Sequence, residues 1–293
     1  MKKAIWLALL LVSGLVFGEH IPKAKAIQML QQVSSQDFPR SEAVFISNEI
    51  INLDKHCLGD IEEENYRKIL TDKARKDNSV QFGYNTHYHQ VEVKSIEIIK
   101  VDGTVIPFEP GKILKEKDNT FTTGLNIYSN LSKIKIGELP DVQIGDIIYT
   151  RHIMTRKRAF MENHFFDFLA IEDDAAYLNK FKKITLPSSL PLYIHDLNNQ
   201  GLKYDYQRDE AGNRVIHQWN VAKIPIIVPE PHIESYTLYA HHIILTTVKS
   251  WQEISRWYYG VVKPHLKINE AMKTKVRQLI KGSSPGGENC PEF

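Results

Sequence analysis

The chain is poor in cysteine: Cys57 and Cys290 are its only thiols among 293 residues. Two thiols cannot supply the four-ligand spacing of a structural zinc site. They allow one bridge, and nothing in their separation argues for it. Net charge is also lacking, with 37 basic residues against 35 acidic ones. Losing Lys2 and Lys3 with a leader would make the two numbers equal. A neutral chain without a basic stripe argues against nucleic acid or an anionic membrane as the main partner. A Walker loop, an H-E-x-x-H pair and a dinucleotide fingerprint are all missing from the sequence. No internal repeat is visible.

Long apolar runs are scarce as well. The one continuous run spans residues 4–17, behind Lys2 and Lys3. It is shorter than the roughly 20 residues needed to cross a bilayer. Val16 and Gly18 place small residues at the −3 and −1 positions of a cut before Glu19, which is the pattern of a secretory signal peptide. A second possible cut follows Ala26. The expected address is export to the periplasm or cell envelope of a Gram-negative bacterium, with no membrane-spanning segment after cleavage. The absence of a nearby cysteine argues against a lipid-anchored form.

What remains is an ordinary globular composition, 42% hydrophobic and 25% charged, which excludes disorder as the default. A chain of this size can bury roughly 75% of its unfolded surface without a metal or a bridge. Residues 43–53 alternate and are rich in Ile and Val, so a strand is expected. Residues 62–71 fit either helix or strand, and 72–78 fit a helix. Residues 85–101 read as one long strand, turned at Asp102-Gly103 and returning over 104–106. The organising stretch is 132–157, with a strand stopped at Leu139-Pro140, a turn at Gly145-Asp146 and a second strand. On that strand Ile148, Thr150, His152 and Met154 share one face and Ile147, Tyr149, Arg151 and Ile153 the other, so burial on both sides is expected.

Further strands are expected over 163–171, 176–186, 192–194, 202–207, 214–221 and 236–248. A short helix fits within 21–36. After Ser250 the period changes: Trp251, Ile254, Trp257, Tyr258 and Val261 mark an amphipathic helix, and Ser250 with Glu253 forms a capping-box pattern. A second helix is expected over 269–280. The fold class is therefore mainly β, a large antiparallel β-sandwich with C-terminal amphipathic helices. The expected organisation is a signal peptide (1–18), a sandwich (19–248), a helical linker (249–281) and a disordered tail (282–293).

Candidate chemistry is thin. His87 and His89 stand two apart on an expected strand and could supply two metal ligands from one face. His241 and His242 are adjacent and point to opposite faces. The acids at 62–64 and 172–174, with Asp205 and Asp209, are expected at turns and solvated faces, as are the basic clusters at 156–158 and 180–183. Cys57 lies beside His56, and adjacent side chains diverge on a strand, which favours a structural cysteine. Trp251, Trp257 and Tyr258 are candidates for a ligand or partner surface. Packing of their helix on the sandwich or on a neighbouring domain is the expected use.

Several segments resemble the bacterial family called domain of unknown function 3857. They are YRKILTDKA (66–74), VDGTVIPF (101–108), GELPDVQIGDIIYTRHI (137–153), FFDF (165–168) and TTVKSWQEISRWYY (246–259). The resemblance implies an exported β-sandwich module ahead of a transglutaminase-like cysteine domain, with the Trp251–Trp257 helix at the passage. This sequence departs there: it stops where that domain would begin, and ENCPEF does not resemble the domain's cysteine motif. No catalytic residue carries over and no cofactor is implied. A fragment or a frame-shifted product with an unrelated tail is expected. The chain by itself is read as a non-catalytic module docking a protein or polysaccharide substrate, or an envelope partner, for the adjacent domain. The alternatives are a hydrolase or metal-dependent enzyme using dispersed His and acidic residues, and an envelope carbohydrate-binding protein using exposed aromatics.

Overall fold

A computed structural model describes residues 20–120, 129–199, 201–224, 226–227, 238–266 and 269–280. The signal-like segment, Cys290 and the tail at 282–293 lie outside these residues. The chain divides into two units, Met1–Thr247 and Val248–Phe293.

The first unit is a β-sandwich. Its large sheet runs in the order β12 (Asp205–Ala211), β13 (Arg214–Ile224), β10 (Ala176–Pro187), β1 (Ala43–Leu53), β2 (Gly59–Ile69), β8 (Ile147–Arg156), β4 (His89–Ile99), β5 (Val105–Phe108). Two three-stranded sheets accompany it. One has the order β11 (Tyr193–Leu197), β14 (His242–Thr246), β9 (Phe166–Ala170). The other has the order β3 (Ser79–Asn85), β7 (Ser132–Glu138), β6 (Lys115–Asp118). Among the named strands pairing is antiparallel except at the centre, where β1 and β10 run parallel. Alternation predicts strands, but it is blind to the direction of a partner far away in sequence.

The expected long strand at 85–101 is β4, which starts only at His89. Residues 86–88 turn the chain between β3, in a small sheet, and β4, in the large one. The organising stretch divides in the same way, β7 in a small sheet and β8 inside the large one. Its turn is well anchored. Gly145 takes a φ of +94° and donates from its N–H to the Ile69 carbonyl at 2.8 Å. The buried Asp146 carboxylate accepts from Gln143 N–H at 2.9 Å and Lys100 Nζ at 3.0 Å. At the start of β2 only glycine fits: Gly59 has a φ of +144°, and a Cβ there would lie 2.0 Å from the Asn52 carbonyl oxygen.

Both faces of the large sheet are covered, as both faces of β8 suggested. On one face α1 (Lys23–Gln31) packs Ala26 and Leu30 against Val44, Ile46, Tyr66, Ile99, Ile147 and Tyr149. The α1 end is held by a lysine from the sheet. Lys68 Nζ donates to the carbonyls of Leu30 (2.8 Å), Gln31 (3.1 Å) and Val33 (2.7 Å). These are the acceptors a helix C-terminus leaves over, and a cation there also meets the negative end of the helix dipole. The other face carries two separate apolar cores. Ile51, Ile184, Leu186 and Trp219 pack with Leu169, Ile243 and Leu245 of one small sheet. Ile69, Ile96, Ile98 and Ile148 pack with Val80 and Phe82 of the other. Near that core α2 (Asp72–Lys76) opens on Thr71, whose Oγ1 accepts from Ala74 N–H at 3.3 Å, and the short α3 (Pro110–Ile113) follows β5.

The second unit contains α4 (Trp251–Val262) and α5 (Glu270–Ile280). The expected strand at 236–248 shrinks to β14. Ser250 makes no side-chain cap; instead Glu253 accepts from the Lys249 N–H at 2.9 Å. No helix among the described residues is long and apolar enough to cross a membrane.

Candidate functional site

Between the two apolar cores, the same sheet face turns polar. Register explains how. Lys182, Glu49, Glu63 and His152 are directly paired neighbours on β10, β1, β2 and β8, so they form one row across four strands. The next row is Lys180, Ser47, Asn65 and Thr150, followed by Tyr177, Phe45, Arg67 and Ile148. Each strand contributes alternate residues to this face, so none shows the band by itself. Beside β3 the band opens into a recess of about 320 Å³ lined by Glu63, Asn65, Arg67, Gln81, Thr150 and His152. Beside β9 an adjoining recess of about 260 Å³ shares Glu63 and Asn65 and adds Ser47, Glu49, Lys180 and Lys182.

The charge is lopsided. Lys182, only 4% exposed, places Nζ 2.6 Å from Glu49 Oε2 and donates to Asp167 Oδ2 on β9. Glu63 lies in the same field. Lys182 thus pairs with two carboxylates and feels Glu63 beyond them, while Lys180 also acts on Glu49 and Arg156 on Asp167. Burial pushes the Glu49 carboxyl up to about 7 against the pull of Lys182, and burial raises Glu63 as well. The carboxylates in turn raise Lys182, which stays charged. Lys180 is lowered by burial while it pairs with Asp173 at 2.9 Å. His152 closes the row: its Nε2 lies 3.8 Å from Glu63 Oε1, its ring meets Phe82 edge-on at 5.0 Å, and burial pulls it down to about 4. Its Nδ1 is buried without a hydrogen-bond partner. Such a band can bind a polar chain or hold a proton. It contains no thiol or serine hydroxyl oriented by a histidine among the described contacts.

The lysines at 180–183 and the acid at 63 were expected on solvated faces. Lys182 is instead buried and Lys180 half-buried, both beside β9 at the end of the row. His87 and His89 do not share a strand face. His87 sits in the turn beside Arg158, with Nε2 3.3 Å from its guanidinium, and His89 opens β4 with its pKa lowered by burial. Among the described residues no three His, Cys, Asp or Glu side chains are grouped to hold a metal.

Cys57 is fully buried in a left-handed turn, with a φ of 58°. It donates to the Asn163 carbonyl at 3.3 Å and lies 3.9 Å from Thr247 Oγ1. Burial raises its thiol, and its neighbour His56 turns away to Asn163 Oδ1 at 2.8 Å. That is the environment of an inert thiol. Trp251 and Tyr258 are exposed on α4, which buries none of its residues, and Trp257 is half-buried. Sequence reasoning missed one further pair: fully buried His241 places Nε2 2.6 Å from Asp196 Oδ1, and Tyr204 donates to the same carboxylate at 2.9 Å.

The family model described as Domain of Unknown Function with solved-structure structure (DUF3857) matches residues 58–228. The chain belongs to the DUF3857 family. The match spans β2 to β13 and thus most of the polar band. No curated protein matches the chain. Among solved structures, a "putative protease" from Parabacteroides distasonis is similar with a TM-score of 0.66 at 14% identity. The likeness covers 83% of this chain and 47% of that one, so this chain spans about half that protein's length. The likeness shows a shared fold, not an activity. An M1 zinc metallopeptidase from Deinococcus radiodurans has a TM-score of 0.32 at 7% identity, covering 71% of this chain and 43% of its own. Yeast LTA4 hydrolase has a TM-score of 0.30 at 12% identity, covering 78% and 33%.

Proposed function

We propose that this DUF3857 chain is an exported, non-catalytic module that docks a substrate polymer or protein partner for a transglutaminase-like domain. The polar band is the docking surface. One observation carries this reading: two rows of polar side chains across four strands, Lys182–Glu49–Glu63–His152 and Lys180–Ser47–Asn65–Thr150, line two adjoining recesses, while the thiol of Cys57 is buried elsewhere with a raised pKa. A docking surface needs polar groups fixed by a rigid sheet; a nucleophile needs an accessible, activated atom. The fold shared with part of a longer protease-like protein is consistent with a module serving a separate active domain. The lysine-led apolar segment at 4–17 supports export.

The test combines binding and turnover. Purified mature chain is cosedimented with isolated peptidoglycan and assayed for amide hydrolysis and acyl transfer. Binding that weakens in Asn65→Leu, without turnover, supports the reading. Turnover by this chain alone that disappears on a single substitution overturns it.

A further inference from the structure

Away from the polar band, the loop after α1 and the ends of β10 and β13 enclose a recess of about 400 Å³. Its lining is divided by chemistry. Val33, Phe38, Leu178 and Ile226 supply apolar surface, and Ser41, Arg40 and Lys223 supply polar groups. A volume of this size, mostly apolar with a few convergent polar groups, is typical of a small-molecule site.

The backbone is built around this recess. Against β1, Leu178 is an extra residue: Phe45 pairs with Tyr177 and Ile46 with Asn179, which leaves Leu178 as a bulge. Bulges re-aim side chains beside sites. Arg40 and Lys223 both adopt left-handed backbone, with φ of 72° and 54°. Neither is a glycine, asparagine or aspartate, the residues that tolerate that region best.

The charge at the rim points to an anionic group. Ser41, in the wall beneath it, is 5% exposed, and its Oγ is closed off from solvent. Arg40 and Lys223 are exposed at the rim, and among the described residues neither forms a salt bridge. Among the described lining residues the one carboxylate is Asp37, which accepts from Ser34 N–H at 2.7 Å and Ser34 Oγ at 2.8 Å and lies in the field of Lys223. Among the described lining residues two cations thus face a single acid.

We propose that this recess binds a small amphiphile with an apolar body and a carboxylate head, of which a medium-chain fatty acid is the simplest case. The body lies on Phe38, Leu178 and Ile226; the head accepts from Arg40 and Lys223. This site is separate from the docking surface proposed above and stands or falls independently of it.

The test is calorimetric titration of the full chain with octanoate and with octanamide, which share a body and differ in charge. Octanoate is expected to bind about tenfold more tightly, the value of a charge-assisted contact. The double variant Arg40→Gln with Lys223→Gln should lose that preference and keep octanamide binding. Because both side chains are exposed, its melting temperature should match the parent. On the unaltered chain, methyl resonances of Val33, Leu178 and Ile226 should shift with octanoate. Equal affinity for the two probes, binding of neither, or shifts confined to other methyls would overturn the proposal.

Discussion

The two faces of the large sheet solve the same burial problem with opposite chemistry. On the α1 face, the buried cation is matched. Lys68 is 7% exposed, and three helix-end carbonyls receive its ammonium. On the other face, the buried cation is outnumbered, since Lys182 meets Glu49 and Asp167 with Glu63 beside them. The first arrangement closes a structure. The second leaves hydrogen-bonding capacity and a titratable proton inside two recesses. The difference teaches where to look for function: not at the most exposed charges but at buried ones whose partners do not balance.

The largest effect should come from removing the outnumbered cation. Lys182→Met leaves the half-buried Glu49 and Asp167 carboxylates without their ammonium, and unfolding by urea should show a loss of about 3–5 kcal/mol. A loss under 1 kcal/mol would mean that the row is solvated in solution. Lys68→Met should cost less, about 1–3 kcal/mol, because it orphans carbonyls rather than charges. Equal losses in the two variants would erase the contrast between the faces.

Smaller effects should appear in pH dependence, and their signs differ. Glu49 has a folded pKa of about 7, above its ordinary 4.5. Its contribution is full below the ordinary value and is lost as pH rises toward 7. His152 is depressed from 6.5 to about 4, so its contribution is present above 6.5 and lost as pH falls toward 4. The two slopes oppose each other in the parent protein. Glu49→Gln, which mimics the protonated acid, should remove the first and leave melting temperature falling with acid. The His152 ring resonances should not move between pH 7 and pH 5; an inflection near 6.5 would place the ring in water.

Much of the framework was legible in the sequence. Alternation found β1, the Asp102-Gly103 turn found the β4–β5 hairpin, and a period change at Ser250 found α4. Both faces of β8 carried apolar residues, and both are packed. The polar band was not legible, because Lys182, Glu49, Glu63 and His152 are widely separated in sequence and meet only through register. One of those registers is the parallel β1–β10 pair, which no hairpin signal announces. The break at residues 86–88 was hidden by β-favouring residues on either side. His241 and Asp196 meet for the same reason as the band, through the pairing of β11 with β14.

Around Lys182 the sheet face holds more half-buried carboxylate than ammonium. Carbon-13 carboxyl resonances of Glu49, followed from pH 3 to pH 9, test this directly. The predicted inflection lies near neutrality, at about 7. An inflection at or below the ordinary 4.5 would show a simple ion pair with Lys182 and would contradict the surplus.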